Sequence, residues 1–153
     1  MEQQRSQGAA PALSIRQPWV ELILRGLKSI ELRQWTTDYR GPLWLHAPMK
    51  VDNVPSLVPG DLPLFTGGYV GYAMLRTILA MDMRRWEGWR IEHCDPGPYV
   101  PGSFGWVLSD IIRFREPLPA PGKLGLFEPS TEHIAMLLSR REQGEPPESQ
   151  CAK

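Results

Sequence analysis

The sequence predicts a β-rich α+β domain: a small barrel or strongly curled sheet of about five or six strands, with two flanking helices. Three observations point there. Sixteen prolines and fourteen glycines in 153 residues cut the chain into short elements, which suits strands and turns better than a helical bundle. Most of those segments alternate with period two or run apolar for a few residues, and only two carry the 3.6-residue helical period. A sheet of so few strands protects its edges best by curling on itself.

The elements follow in order. After a polar start (1–11), "ALSIR" (12–16) alternates as a half-buried strand, Leu13 and Ile15 against Ser14 and Arg16. In "QPWVELILRG", Pro18 suits a first helical turn, and Val20, Ile23, Leu24 and Leu27 form a stripe. Glu21 and Arg25 are then an i,i+4 pair on the wet side, and Gly26 supplies a left-handed stop. "SIELRQW" (29–35) returns to period two, with Glu31, Arg33 and Trp35 on one face. "LWLHA" (43–47) is apolar throughout and reads as a central strand. The stretch 48–66 is ambiguous. Residues 67–81 form a long strand bent near Gly71, and 82–101 a long loop with at most one helical turn. Strands 103–114 and 122–129 are joined by "REPLPAPG". "PSTEHIAMLLSRRE" closes as a helix with a cap at Ser130 or Thr131 and a stripe of Ile134, Leu137 and Leu138. This makes one domain over 12–143, with disorder expected in 1–11 and in the tail 144–153.

Composition narrows the function. Seventeen basic and seventeen acidic side chains cancel, so a duplex-wrapping protein driven by net charge is disfavoured and any nucleic-acid contact must be local. Residues 1–50 do carry seven basic against four acidic side chains. Two cysteines without CxxC spacing argue against a disulfide framework or a cysteine zinc site. No apolar run approaches the ~20 residues of a membrane span, and "MEQQRSQGAAPA" lacks the apolar segment of a secretory signal. The expectation is a cytoplasmic protein.

The charged strand carries the chemistry. Glu31 and Arg33 are i, i+2 neighbours ~7 Å apart along one face, with Lys28 just before them at the helix-to-strand turn. Arg16 joins them if the first strand's polar face points the same way. Cations to orient a polar solute and a carboxylate to accept from N–H groups make a binding cleft. A solvated sheet face with one salt bridge is the plainer alternative. Trp19, Trp35 and Trp44 lie close by, and aromatics beside cations are what single-stranded nucleic-acid sites stack bases on; core packing claims Trp44. His46 reads as a hydrogen-bonded core histidine. His93, Cys94 and Asp95 are adjacent, so on an extended chain they diverge, and no metal is expected. GxSxG, P-loop, GxGxxG and HExxH signatures are absent.

The stretch "LSIRQPWVELILRGLKSIELRQWTTDYRGPLWLHA" resembles the ASCH domain family, a relative of the PUA fold. Its Gly-x-Lys-x-x-Glu/Thr-x-Arg signature is matched by Gly26, Lys28, Glu31 and Arg33. "FGWVLSDIIRF...EPLPAPGKLGLF" is similar too, so the likeness covers roughly 12–128. The resemblance implies a PUA-like small β-barrel, a cleft lined by the signature and an RNA-related role. One branch of the family hydrolyses N4-acetylcytidine with the signature lysine, a threonine three residues on and a downstream glutamate. Here the threonine position holds Glu31, and Glu87 or Glu92 stands for the downstream carboxylate.

Two functions stay open. In the first, the cleft binds single-stranded RNA or a (modified) nucleotide: Lys28, Arg33, Arg16 and Arg40 meet phosphate or carbonyl oxygens, Glu31 a base edge, and Trp19, Trp35 or Trp106 stack. In the second, a small hydrolase acts on N4-acylcytidine-type nucleosides or on RNA, with Glu31 as general base and Lys28 and Arg33 stabilising the oxyanion. The cations around Glu31 push its carboxyl toward the ionised form, which favours binding over base catalysis. Neither requires a cofactor. A partner-binding surface across 82–121 is a third, blander alternative.

Overall fold

The computed structural model describes residues 10–54 and 64–147; expectations for 1–9, 55–63 and 148–153 lie outside them. Its strands are β1 (Ala12–Ser14), β2 (Ile30–Arg33), β3 (Gly41–Ala47), β4 (Gly68–Ala80), β5 (Phe104–Pro119) and β6 (Leu126–Phe127). Its helices are α1 (Trp19–Leu24), α2 (Met83–Gly88), α3 (Arg90–His93) and α4 (Thr131–Gln143). The strands form one mixed sheet in the order β2-β5-β4-β3-β1-β6, parallel only between β1 and β3. The sheet curls into a half-barrel flanked by helices, the α+β architecture expected.

The continuous apolar run of β3 is explained by burial on both faces. Leu43, Leu45 and Ala47 face a core with Ile15, Ile23 and Trp106 under α1. Trp44 faces a second core with Tyr72, Phe114 and Leu137 under α4. Curvature comes from β4, whose register shifts three times against β5. At Gly71, a Cβ would meet the Ile112 carbonyl and the Leu24 side chain at 2.5 Å each, so only glycine lets the strand come that close.

Several boundaries differ from expectation, each for a physical reason. Residues 82–101 hold two short helices rather than a long loop with at most one helical turn: the Asp82 side chain accepts from Arg85 N at 2.8 Å and starts α2. "REPLP" continues β5, because an edge-facing position tolerates proline, and only Leu126–Phe127 remain of the last strand. Glu21 is not on the wet side but buried, accepting from Arg113 Nη2 of β5 at 2.7 Å as well as from Arg25 Nε at 3.0 Å. Pro18 precedes α1 behind a cis peptide, and the Gln17 side chain caps the helix by accepting from Glu21 N. Ser130 gives α4 no side-chain cap on the backbone; its hydroxyl pairs with His133. In the α4 stripe Leu137 is buried, Ile134 and Leu138 half-buried.

Backbone hydrogen bonds are also made on either side of 12–143. Pro11 O accepts from Trp44 N, and Glu145 exchanges two backbone hydrogen bonds with Arg113. Among the described residues no helix is long and apolar enough to cross a membrane.

Candidate functional site

Curling brings the β2 edge opposite β1 without a backbone ladder between them. The seam is closed by a side chain instead: Arg33 Nη2 donates to the Ser14 carbonyl at 2.5 Å. A cleft of about 810 Å³ opens along this seam.

Its floor is the charged strand. Lys28 is only 2% exposed, and its ammonium donates to the carbonyls of Ile30 and His93, both at 2.7 Å. It lies 3.4 Å from Glu31 Oε1, and 5.1 Å from the centre of the Trp19 ring. Glu31 Oε2 accepts from Arg33 Nε at 3.1 Å, so one carboxylate is gripped from both sides. Burial pushes the Lys28 pKa down, against the pull of Glu31. Lys28 is thus an anchor tying β2 to α3 and orienting Glu31, rather than a cation free to meet a ligand.

The walls come from three loops. Trp19 Nε1 and Arg16 Nη1 both donate to Asp52, at 2.8 and 3.2 Å, which fixes the indole at the cleft edge. Opposite, the 120–125 segment crosses the cleft as a strap. His46 Nε2 donates to the Ala120 carbonyl at 2.8 Å, and Ser14 Oγ donates to the Lys123 carbonyl at 2.7 Å. A Cβ at Gly122 would strike the His46 ring, so the strap lies directly on it. Burial lowers the His46 pKa, and its Nδ1 has no partner among the described residues. At the mouth stand Met49, Lys50, Lys123 and Leu124, all exposed.

The structure therefore gathers Arg16, Trp19, Lys28, Glu31 and Arg33 around one cavity, and places three expected residues elsewhere. Trp106 is fully buried, its indole N–H on the Trp35 carbonyl, so its ring is closed to a ligand. Trp35 packs edge-on against Trp106, with ring centres 4.8 Å apart. Arg40 is spent on the carbonyls of Thr37 and Tyr39. Glu87 is exposed and paired with Arg90, and Glu92 is not in the lining. Besides Asp52, the downstream carboxylate that lines the cleft is Asp95. It follows His93, whose Nε2 donates to the Trp86 carbonyl and whose Nδ1 accepts from Asp95 N. Asp52, Lys50 and Lys123 carry no signal in the sequence because each lies in a loop without periodicity, and Asp95 shows there only as a neighbour of His93 and Cys94.

Comparison with known proteins agrees with this fold. The ASCH domain family model matches residues 13–118, well over half of the chain. A 38-residue stretch is 50% identical to activating signal cointegrator 1 of Homo sapiens, and equally to that of Mus musculus. That match covers 25% of this chain and only 6% of the human protein. The crystal structure of an ASCH protein from Zymomonas mobilis superposes with a TM-score of 0.60 at 15% identity, covering 92% of this chain and 99% of that one. A serine-to-alanine variant of it gives 0.60 at 16% identity, covering 88% and 98%. Fold, signature and family match agree: the chain belongs to the ASCH domain family.

Proposed function

We infer that the protein binds a single-stranded RNA segment or a nucleotide in the seam cleft. The observation that carries this reading is the layout of charge. The floor cations Lys28 and Arg33 are matched by two carboxylates, Glu31 in contact with both and Asp95 nearby, and Arg16 is balanced by Asp52. Lys50 and Lys123 at the mouth have no ion-pair partner among the described residues. A ligand suited to this cleft puts a neutral, hydrogen-bonding head inside and an anionic group at the rim, which describes a nucleobase and its phosphate. Trp19 offers an aromatic face beside the head.

The test is fluorescence anisotropy with a labelled single-stranded RNA across a salt series. Binding is expected to weaken with salt. Replacing both Lys50 and Lys123 by Ala is expected to reduce the slope of log K against log salt by about 1.4, at roughly 0.7 per phosphate contact. Absent binding, or an unchanged slope, removes the reading.

One observation favours a second reading, hydrolysis of an N4-acylcytidine-type nucleoside or of RNA. Lys28 is a buried amine with a lowered pKa in contact with a carboxylate, a combination that catalytic sites share with structural ion pairs. Against it, the Lys28 ammonium has three acceptors around it already. Turnover of N4-acetylcytidine that Glu31→Gln abolishes, in a variant that still melts cooperatively, would make the cleft an active site.

A further inference from the structure

We propose that the main-chain N–H and C=O of Leu32 are the base-reading pair of the cleft, a single donor–acceptor couple that takes the hydrogen-bonding edge of one nucleobase. This rests on the nucleotide-binding reading above and names the groups that hold the base.

In an antiparallel ladder, successive residues turn their N–H and C=O alternately toward the partner strand and away from it. Leu108 N donates to the Ser29 carbonyl at 2.9 Å, and the register then runs Ile30 opposite Val107, Glu31 opposite Trp106 and Leu32 opposite Gly105. The Ser29 carbonyl and both backbone groups of Glu31 and Arg33 are therefore directed at β5, while Ser29 N donates to the Glu92 carbonyl and Ile30 and Leu32 direct their groups outward. The far side of β5 agrees. Met81 N donates to the Ser103 carbonyl, which assigns Ser103, Gly105 and Val107 to the β4 side. The outward carbonyl of Ile30 is the one that Lys28 caps.

Leu32 remains. It is half-buried, it lines the cleft, and among the described residues no group outside β5 is within hydrogen-bond reach of its N–H or C=O. The edge around it is closed. Lys28 occupies the Ile30 carbonyl, β2 ends at Arg33, and the chain bends at Gln34 while the Arg33 side chain spans the seam. A peptide strand adding to a sheet needs a row of such pairs, and this edge offers one. A nucleobase needs only one, since every base carries an acceptor and an N–H side by side on its pairing edge. A partly buried amide left unpaired is costly, and a base edge satisfies both of its groups at once.

The experiment uses the 15N-labelled full chain and the four ribonucleoside 5′-monophosphates. Each is compared with a neutral derivative methylated on the donor nitrogen of its pairing edge: N4,N4-dimethylcytidine, N6,N6-dimethyladenosine, 3-methyluridine and 1-methylguanosine monophosphates. The Leu32 amide resonance is expected to move downfield with the tightest-binding nucleotide and to stay with ribose 5-phosphate. The matching methyl derivative is expected to bind at least about tenfold more weakly. Leu32→Pro deletes the outward N–H without touching the ladder to β5, a placement edge strands tolerate, and is expected to lose binding where Leu32→Ala keeps it. Nucleotide binding with an unmoved Leu32 amide and no penalty for methylation would overturn this inference and leave the nucleotide site standing. Failure of every nucleotide and of single-stranded RNA to bind would overturn both. A Leu32 shift with N-acetylglycine methylamide but not with nucleotides would assign the edge to a peptide and overturn it as well.

Discussion

Arg33 illustrates how one side chain serves both fold and site. Its side chain is only 17% exposed, and its guanidinium fills two tasks, pairing with Glu31 and bridging β2 to the Ser14 carbonyl. A lysine has one point charge and cannot hold that fork. Arg33→Ala is expected to lower stability by about 1–3 kcal/mol in urea unfolding, because the half-buried Ser14 carbonyl loses its donor and Glu31 keeps only Lys28. Arg33→Lys is expected to recover only part of that. The sharing of a face by Glu31 and Arg33 was legible from period two. The burial of Lys28 was not, since it depends on the His93 carbonyl arriving from 65 residues away.

Among the elements, α1 is held by a contact that local spacing misassigns. Glu21 has a helical neighbour at Arg25, the pairing any helix reading would choose, yet its strongest partner is Arg113 on β5. Glu21→Ala is expected to cost about 2 kcal/mol, less than a fully buried pair because Arg113 is itself 40% exposed. Arg25→Ala is expected to cost less than about 1 kcal/mol, and chemical denaturation of the two variants side by side checks the order. The helices of 82–101 were missed because they are one or two turns long, too short for a period to emerge. Their signal was the Asp82 cap. At Gly71, where a bend is expected, the ladder to β5 shifts register, and Gly71→Ala is expected to destabilise by about 2–3 kcal/mol, read from the urea midpoint, since the Cβ has backbone on one side and Leu24 on the other.

For the whole molecule, acid sensitivity follows from two buried imidazoles. His46 ties β3 to the strap and His93 ties α3 to α2, and burial lowers the pKa of both below the ordinary 6.5. Below that value the unfolded chain takes up protons that the folded chain refuses, so stability is present above it and is lost as pH falls. Unfolding free energy is expected to drop between pH 7 and pH 5, by up to about 1.4 kcal/mol per pH unit for each group. His46→Gln is expected to flatten that slope, whatever it does to stability at pH 7. An equal slope in variant and parent would show that His46 titrates normally.

The sequence by itself determined the α+β class, the central position of β3, α1 with its left-handed stop at Gly26, and the charged face of β2. Those are properties of neighbours in the chain, and alternation, apolar runs and helical stripes report them directly. Tertiary structure alone decided which of the named residues meet. Arg16, Trp19, Lys28, Glu31 and Arg33 converge because the sheet curls, while Trp35, Arg40 and Trp106 are turned to other partners by the same curl. It also supplied Asp52, Asp95, Lys50 and Lys123 from loops, and exposed one unpaired backbone couple at Leu32. Curl and edge pairing are set by bulges and contacts between strands far apart in the chain, and no local period records them.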